Sequence, residues 1–219
     1  MYRRLIYMFC ILAYAAVLHA GPLDTRIAKL QFFGPDNSIF LEIVLFYDER
    51  GNIIKSRQYD QFMRVLGVEE YFFDGKGTRF KEITYDSGRQ IEKYTLIEVE
   101  AGRRIRKAYN SDDILIMITE DEYDKNGVIK KVTEYSVSNG KKGEVQSVSE
   151  YTYRGKKEIK CVRSLSGGDT YYYYIIGFNE SGQIEGVTYY NIKDVRTGYV
   201  KIIHEKGVMT EQSLDLVIY

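Results

Sequence analysis

Histidine, cysteine and clustered carboxylates are the side chains from which metal sites, nucleophiles and acid–base pairs are built, and the first two are scarce here. The chain has 219 residues with two histidines and two cysteines. Cys10 and His19 fall in an apolar N-terminal segment, which leaves His204 (in YVKIIHEKG) and Cys161 (in EIKCVRS) for the body of the chain. One histidine excludes a histidine-cluster metal site, and any Ser-His or Cys-His pair has to use it. Beside Glu205 and near a turn signal, His204 reads as an ordinary strand-end residue. Cys161 alternates with Ile159 and Arg163 on one face of an extended run, the pattern of a buried or semi-buried structural thiol.

Carboxylates are abundant but badly placed for shared chemistry. Glu69-Glu70, Asp112-Asp113 and Asp121-Glu122 are sequence neighbours, and neighbours in a strand point to opposite faces. Glu122, Asp124, Asn126 and Gly127 imitate the start of a calcium loop, but Thr133 stands where the bidentate glutamate belongs. Turn chemistry alone explains Asp124 and Gly127. With no nucleophile motif and no phosphate loop, the expectation is a protein that is not an enzyme, with no catalytic residue, no metal and no cofactor. The most suggestive binding residues are aromatic: the run Tyr171, Tyr172, Tyr173 and Tyr174, with Tyr189, Tyr190 and Tyr199 on what should be adjacent strands. Exposed aromatic platforms suit sugars or protein partners, and cross-strand tyrosine packing is the alternative.

The elements that must position these residues come from a repeat. FYDERGNIIKSRQYD (46–60) returns as FFDGKGTRFKEITYD (72–86), as EYDKNGVIKKVTEYS (122–136) and more loosely as GFNESGQIEGVTYYN (177–191). Gly51, Gly77, Gly102, Gly127, Gly155, Gly182 and Gly207 follow one another at spacings of 26, 25, 25, 28, 27 and 25. Such a period marks a structural array. A second series of turn signals lies near the midpoints: Asp60, Asp86 to Gly88, Asn110 to Asp112, Asn139-Gly140, Gly167-Gly168 and Asp194 to Gly198. Each repeat is therefore two extended runs joined by turns. In Asp-x-x-Gly the aspartate accepts backbone amides and the glycine takes the left-handed conformation, giving a hairpin loop closed by a glycine bulge. That register sets Tyr47 against Ile53, Tyr123 against Ile129 and Phe178 against Ile184, with Phe73 facing Arg79 as an exception. Strands entering these turns are apolar (IFLEIVLFY, YYYYIIGF), whereas those leaving them carry charge on both faces (VIKKVTEY). The predicted fold is all-β, an antiparallel meander of about fourteen strands in a strongly twisted or curled sheet, partly covered or partly closed.

Composition agrees: 44% hydrophobic, 28% charged, 21 tyrosines and no tryptophan. The first twenty residues have a basic start and an apolar run from Leu5 to Leu18, the layout of a signal peptide cleaved after Ala20 or, with a better small-residue pattern, after Ala15. Residues 1–20 are thus read as a signal peptide and 21–219 as one domain, exported to the periplasm, cell surface or medium. Without Arg3 and Arg4, 29 basic side chains face 31 acidic ones, which gives no reason to expect nucleic acid as a partner.

The hairpin motif resembles the tyrosine-aspartate (YD) repeats of Rhs-type and teneurin-like proteins, on FYDERGNI, EYDKNGVI and FNESGQI, over most of residues 38–210. In that family each repeat is a hairpin in a long spiralling sheet around a cargo, and about seven hairpins fall short of such a shell. The resemblance implies architecture. The leading functional expectation is an exported, envelope-associated binding or structural module whose partner is a protein or glycan of the cell envelope or host surface. The alternative is an outer-membrane β-barrel, supported by ten-residue strands and the terminal LDLVIY, and opposed by Lys55, Arg57, Lys130 and Lys131, which would meet lipid or crowd the lumen. On that ground membrane insertion is not expected.

Overall fold

The computed structural model describes residues 25–154, 158–166 and 170–206. The segment read as a signal peptide, the turns expected at Gly155, Gly167-Gly168 and Gly207, and LDLVIY lie outside the described residues. Within them are fourteen strands: β1 (Thr25–Phe33), β2 (Ile39–Tyr47), β3 (Ile53–Asp60), β4 (Val65–Phe73), β5 (Arg79–Asp86), β6 (Ile91–Glu100), β7 (Arg103–Asn110), β8 (Leu115–Tyr123), β9 (Ile129–Ser138), β10 (Lys141–Arg154), β11 (Glu158–Leu165), β12 (Thr170–Phe178), β13 (Ile184–Asn191) and β14 (Arg196–Lys206). Every strand pairs antiparallel with its sequence neighbours, and β1 pairs with β14, so the meander closes into a barrel. Closure runs through Phe32 opposite Val200 and Leu30 opposite Ile202. It removes both sheet edges, which an open fourteen-strand sheet would have to protect.

The turns are built as the sequence implies. Asp124 Oδ1 accepts the amides of Asn126 at 2.8 Å and Val128 at 2.9 Å, and Gly127 donates back to Asp124 with φ near 78°. The amide bonds hold the Asp124 carboxyl below its ordinary range, the Val128 bond contributing most. Gly51, Gly77 and Gly182 close matching turns. Tyr47, Phe73, Tyr123 and Phe178 meet Ile53, Arg79, Ile129 and Ile184. The Phe73 exception has a physical basis: the Arg79 guanidinium lies 5.9 Å from the Phe73 ring centre and 4.7 Å from that of Tyr71, a cation–π contact in place of an aliphatic one.

Four of the midpoint turns are the same device without glycine, while Asn139-Gly140 keeps its glycine with φ near 70°. Asp60, Asp86, Asn110 and Asn191 each accept two amides of their own turn. The left-handed residues are Met63, Arg89, Asp113 and Asp194, with φ of 59–62°. The structural period is therefore one strand plus one turn, half the period seen in the glycines. The barrel has a glycine end, where β1 also begins and β14 finishes, and a far end with these four turns, the β1–β2 turn at Asn37 and the Asn139-Gly140 turn.

One correction concerns the charged strands. The sheet is not half-covered with both faces of every second strand in water, because closure buries one face of each. The register places Ser56 and Gln58 of β3, Glu82 and Thr84 of β5, and Thr119 and Asp121 of β8 on the lumen, all buried. The bulge after the Gly127 turn sends two successive residues outwards, so Ile129 and Val132 face in while Lys130 and Lys131 both face out. Neither lysine crowds the lumen.

The lumen has two parts. Residues of β1–β4 and β9–β14, among them Phe32, Ile43, Ile176, Val187 and Val200, form one apolar cluster. A round fourteen-stranded barrel encloses more space than one layer of side chains fills. Exposures of 1–2% for these residues therefore require the walls to close on one another at this level, so this part of the lumen is a packed core. The wall made by β5–β8 faces it with polar and charged groups.

Candidate functional site

The strongest chemistry lies on the polar lumen wall. Pairing of β7 with β8 sets Arg104 opposite Asp121, and Arg106 follows two residues along on the same face. Asp121 is fully buried. Its Oδ2 accepts Arg104 Nε at 2.6 Å and a second bond from Arg104 Nη2, and its Oδ1 accepts Arg106 Nη2 at 2.9 Å. Around the wall, Glu134 accepts Ser147 Oγ at 2.6 Å and the guanidinium of Arg163, an ion pair that bridges across β10. On the opposite flank Tyr71 donates to Glu69 at 2.8 Å and lies 3.3 Å from the Ser56 hydroxyl, while Arg79 donates to Glu82 at 2.8 Å.

Ion pairs and hydrogen bonds among these groups order the wall. Glu69 has no cationic partner bonded to it in this network. Burial raises its carboxyl pKa, against the pull of Lys93 and the Tyr71 hydrogen bond. A carboxyl whose pKa is raised by folding contributes its stability below the unfolded pKa and loses it as pH rises towards the folded value. Glu69→Gln, which keeps an oxygen acceptor for Tyr71, is therefore expected to be neutral at pH 4 and stabilising at pH 8. Urea midpoints at the two pH values check this, and an equal shift at both would contradict it.

The predicted tyrosines divide between the two faces. Tyr172, Tyr174 and Tyr189 point into the lumen, whereas Tyr173, Tyr190 and Tyr199 point outwards, so they do not form one platform. Of Tyr171 only the place in β12 is described. Inside, the Tyr151 and Tyr174 hydroxyls lie 3.0 Å apart and their rings meet edge to face, with the Tyr189 ring 5.7 Å from Tyr174. Cys161 sits fully buried among them, and burial pushes its thiol up to about 11, as befits an inert structural cysteine. His204 Nε2 is 2.9 Å from the Ile184 carbonyl oxygen. Among the described residues no group of three or more His, Cys, Asp or Glu is placed to hold a metal.

Outside, Tyr173 stacks on Tyr190 at 4.9 Å under the Lys160 ammonium, and donates to Asp194 at 2.8 Å. Tyr199 stacks on Phe33 at 4.3 Å with Arg196 over its ring. The sequence reading missed that these belong to a longer series. Tyr94 stacks on Tyr109 at 5.0 Å and donates to Asp113, Tyr85 donates to Glu70, and Tyr135 lies under Lys142. All lie on the outer wall towards the far end. The overlooked signal is local: a tyrosine directly precedes the turn residue in Tyr59-Asp60, Tyr85-Asp86, Tyr109-Asn110 and Tyr190-Asn191.

The mid-height of the outer wall carries paired charges: Lys29 with Glu42, Lys55 with Glu70, Lys107 with Glu98, and Lys142 and Arg103 with Glu120. A small apolar group, Val44, Phe46 and Tyr59, is covered on this face, with Arg57 lying over the Phe46 ring.

No family model matches the chain, and no curated protein matches it. Among solved structures it is similar to a porin-like protein from Bacteroides vulgatus, with 12% identity over 81% of this chain and 97% of the other and a TM-score of 0.46. It is also similar to a protein with a YmcC-like fold from Bacteroides fragilis, at 10% identity over 85% of this chain and 97% of the other, TM-score 0.32. A second porin-like protein, from Bacteroides uniformis, matches at 9% identity over 82% of this chain and 98% of the other, TM-score 0.28. The barrel assigned here rests on this chain's own strand pairing.

Proposed function

We propose that the protein is an exported β-barrel of the cell envelope that acts as a binding or structural module, with its outer wall in water and no catalytic activity. The observation that carries this is the series of paired lysine, arginine and glutamate side chains across the outer wall from β1 to β10. A single lysine or arginine at the middle of a bilayer costs about 2–4 kcal/mol, and this wall carries several. The packed apolar lumen argues in the same direction, since it supplies a core and leaves no channel at that level. A protein or glycan partner fits the outer aromatic pairs, and kinship with the YD repeats is part of the same proposal, supported by the tyrosine-aspartate pairs at the turns.

A membrane-spanning barrel is the second reading, and the architecture favours it over an open sheet: the strands close completely, as a spanning sheet must, and tyrosines gather towards one end of the outer wall as in a barrel's interfacial girdle. One pair of measurements separates the two. Protein purified without detergent is expected to stay monodisperse and to run at the same position on detergent gels boiled or unboiled. Aggregation without detergent together with heat-modifiable migration would establish the spanning barrel instead.

A further inference from the structure

We infer that the far end of the barrel docks onto a lipid surface of zwitterionic headgroups, laying its turn tips into the interface with the barrel axis upright. This rests on the water-facing outer wall proposed above. The two ends differ in chemistry. At the glycine end the described turn centres are polar or small: Glu49-Arg50, Gly75-Lys76, Ala101-Gly102, Lys125-Asn126 and Glu180-Ser181. At the far end three of the described turns present large apolar side chains to solvent: Phe62 at 67% exposure and Met63 at 59% between β3 and β4, Ile114 at 58% between β7 and β8, and Ile192 at 63% between β13 and β14. Exposed apolar residues near strand ends occur at both ends, Ile39, Ile91 and Leu165 here and Phe72, Phe80 and Val99 at the glycine end, so the contrast lies in the turn tips. Turn centres ordinarily take glycine, asparagine, aspartate or serine, as the described turns at Asn37, Ser87-Gly88 and Asn139-Gly140 do, so the apolar tips of the β3–β4, β7–β8 and β13–β14 turns need another explanation. Their distribution around the rim matches a plane across the barrel axis, which a lipid surface provides and a partner on one side does not.

Two further observations point the same way. Met63 holds the left-handed conformation with φ near 60°, where glycine serves in the corresponding turns of the other end. A bulky exposed side chain is thus kept at a strained position. Charge also selects the surface. Asp60 is bound by Arg64, Asp113 by Tyr94 and Asp194 by Tyr173, so carboxylates at these turns are drawn into local bonds. Acidic side chains at the described far-end turns (Asp36, Asp60, Asp86, Asp112, Asp113, Asp194) outnumber basic ones, which fits neutral headgroups and gives no attraction to an anionic bilayer. The outer tyrosines below the tips have the amphipathic character of interfacial residues.

The chain has no tryptophan, so single reporters are clean. Phe62→Trp (far end), Leu96→Trp (outer wall) and Lys125→Trp (glycine end) are mixed with phosphatidylcholine vesicles, with and without brominated acyl chains, and with vesicles containing phosphatidylglycerol. The expected result is a shift to shorter wavelength and bromine quenching for Phe62→Trp alone, no stronger with the anionic lipid. Each of Phe62→Asp, Ile114→Asp and Ile192→Asp should weaken partition by about tenfold or more, with the circular dichroism unchanged. Met63→Gly should raise the melting temperature by about 2–4 °C while weakening partition. Three silent reporters overturn the docking and leave the water-facing barrel standing. Quenching of Leu96→Trp as well overturns the water-facing wall itself. A Phe62→Trp shift that depends on protein concentration and not on vesicles assigns this end to a second copy of the chain and overturns the lipid.

Discussion

Asp121→Ala is expected to destabilise the barrel by about 3–5 kcal/mol, the largest single-residue loss available to its polar wall. The carboxylate is fully buried and accepts hydrogen bonds from both Arg104 and Arg106. Removing it leaves two guanidinium groups in the lumen, with side-chain exposures of 8% and 11%, and without the anion that both of them face. The cost comes from those stranded charges more than from the lost attraction, because burying the network has its own desolvation penalty. The corollary separates the two effects: replacing Asp121, Arg104 and Arg106 together with apolar residues of similar size should recover most of the loss. Urea unfolding of the single and triple variants measures both. A single-variant loss under about 1 kcal/mol, the range of exposed pairs, would mean that water reaches this wall.

The second large effect tests which face of the sheet is the core. Phe32 is 2% exposed on the lumen side, opposite Val200 of β14 and Leu41 of β2. Phe32→Ala is expected to cost about 3–5 kcal/mol through lost transfer energy and the cavity left behind. It also loosens the seam where the first and last strands meet. Leu96→Lys on the outer wall supplies the contrast. Leu96 is 37% exposed, and its neighbours across the ladders are Lys81 and Lys107, so a third lysine in water should change stability by within about 0.5 kcal/mol. Were the wall embedded in lipid, the same substitution would cost about 2–4 kcal/mol. The pair of variants thus reads out core and surface independently of any partner, and a costly Leu96→Lys would turn the barrel into a membrane span.

Much of the architecture was legible before any coordinates. Asp48, Asp74 and Asp124 with Gly51, Gly77 and Gly127 announce hairpins because the side-chain oxygen and the left-handed residue act within five positions of chain. The opposition of Tyr47 to Ile53 and of Tyr123 to Ile129 follows from the same turns. The far-end turns were only half legible: Asp60, Asp86 and Asn110 were visible and the last turn was marked at Asp194 to Gly198 and not at Asn191, while Met63, Arg89, Asp113 and Asp194 hide the left-handed position that glycine would have marked. The true one-strand period was hidden with them. The division of the tyrosine run into two faces is a matter of strand parity and could be read directly. The assembly of Arg104 and Arg106 on Asp121 could not, because it depends on the relative register of two strands, and a slip of one residue would send all three side chains to the other wall.

What the sequence determined by itself is local: where the chain reverses, which residues pair across each reversal, and which side chains share a face. These follow from interactions reaching a few residues along the backbone. Closure was decided by tertiary structure alone, because Phe32 and Val200 lie 168 positions apart and no short-range signal joins them. Closure in turn determined which face became the core, buried one side of strands that read as exposed on both, and divided the molecule into a polar-tipped and an apolar-tipped end. The physical reason is that a sheet's twist and curl accumulate over all fourteen strands, so whether the last meets the first is a property of their sum and of no single hairpin.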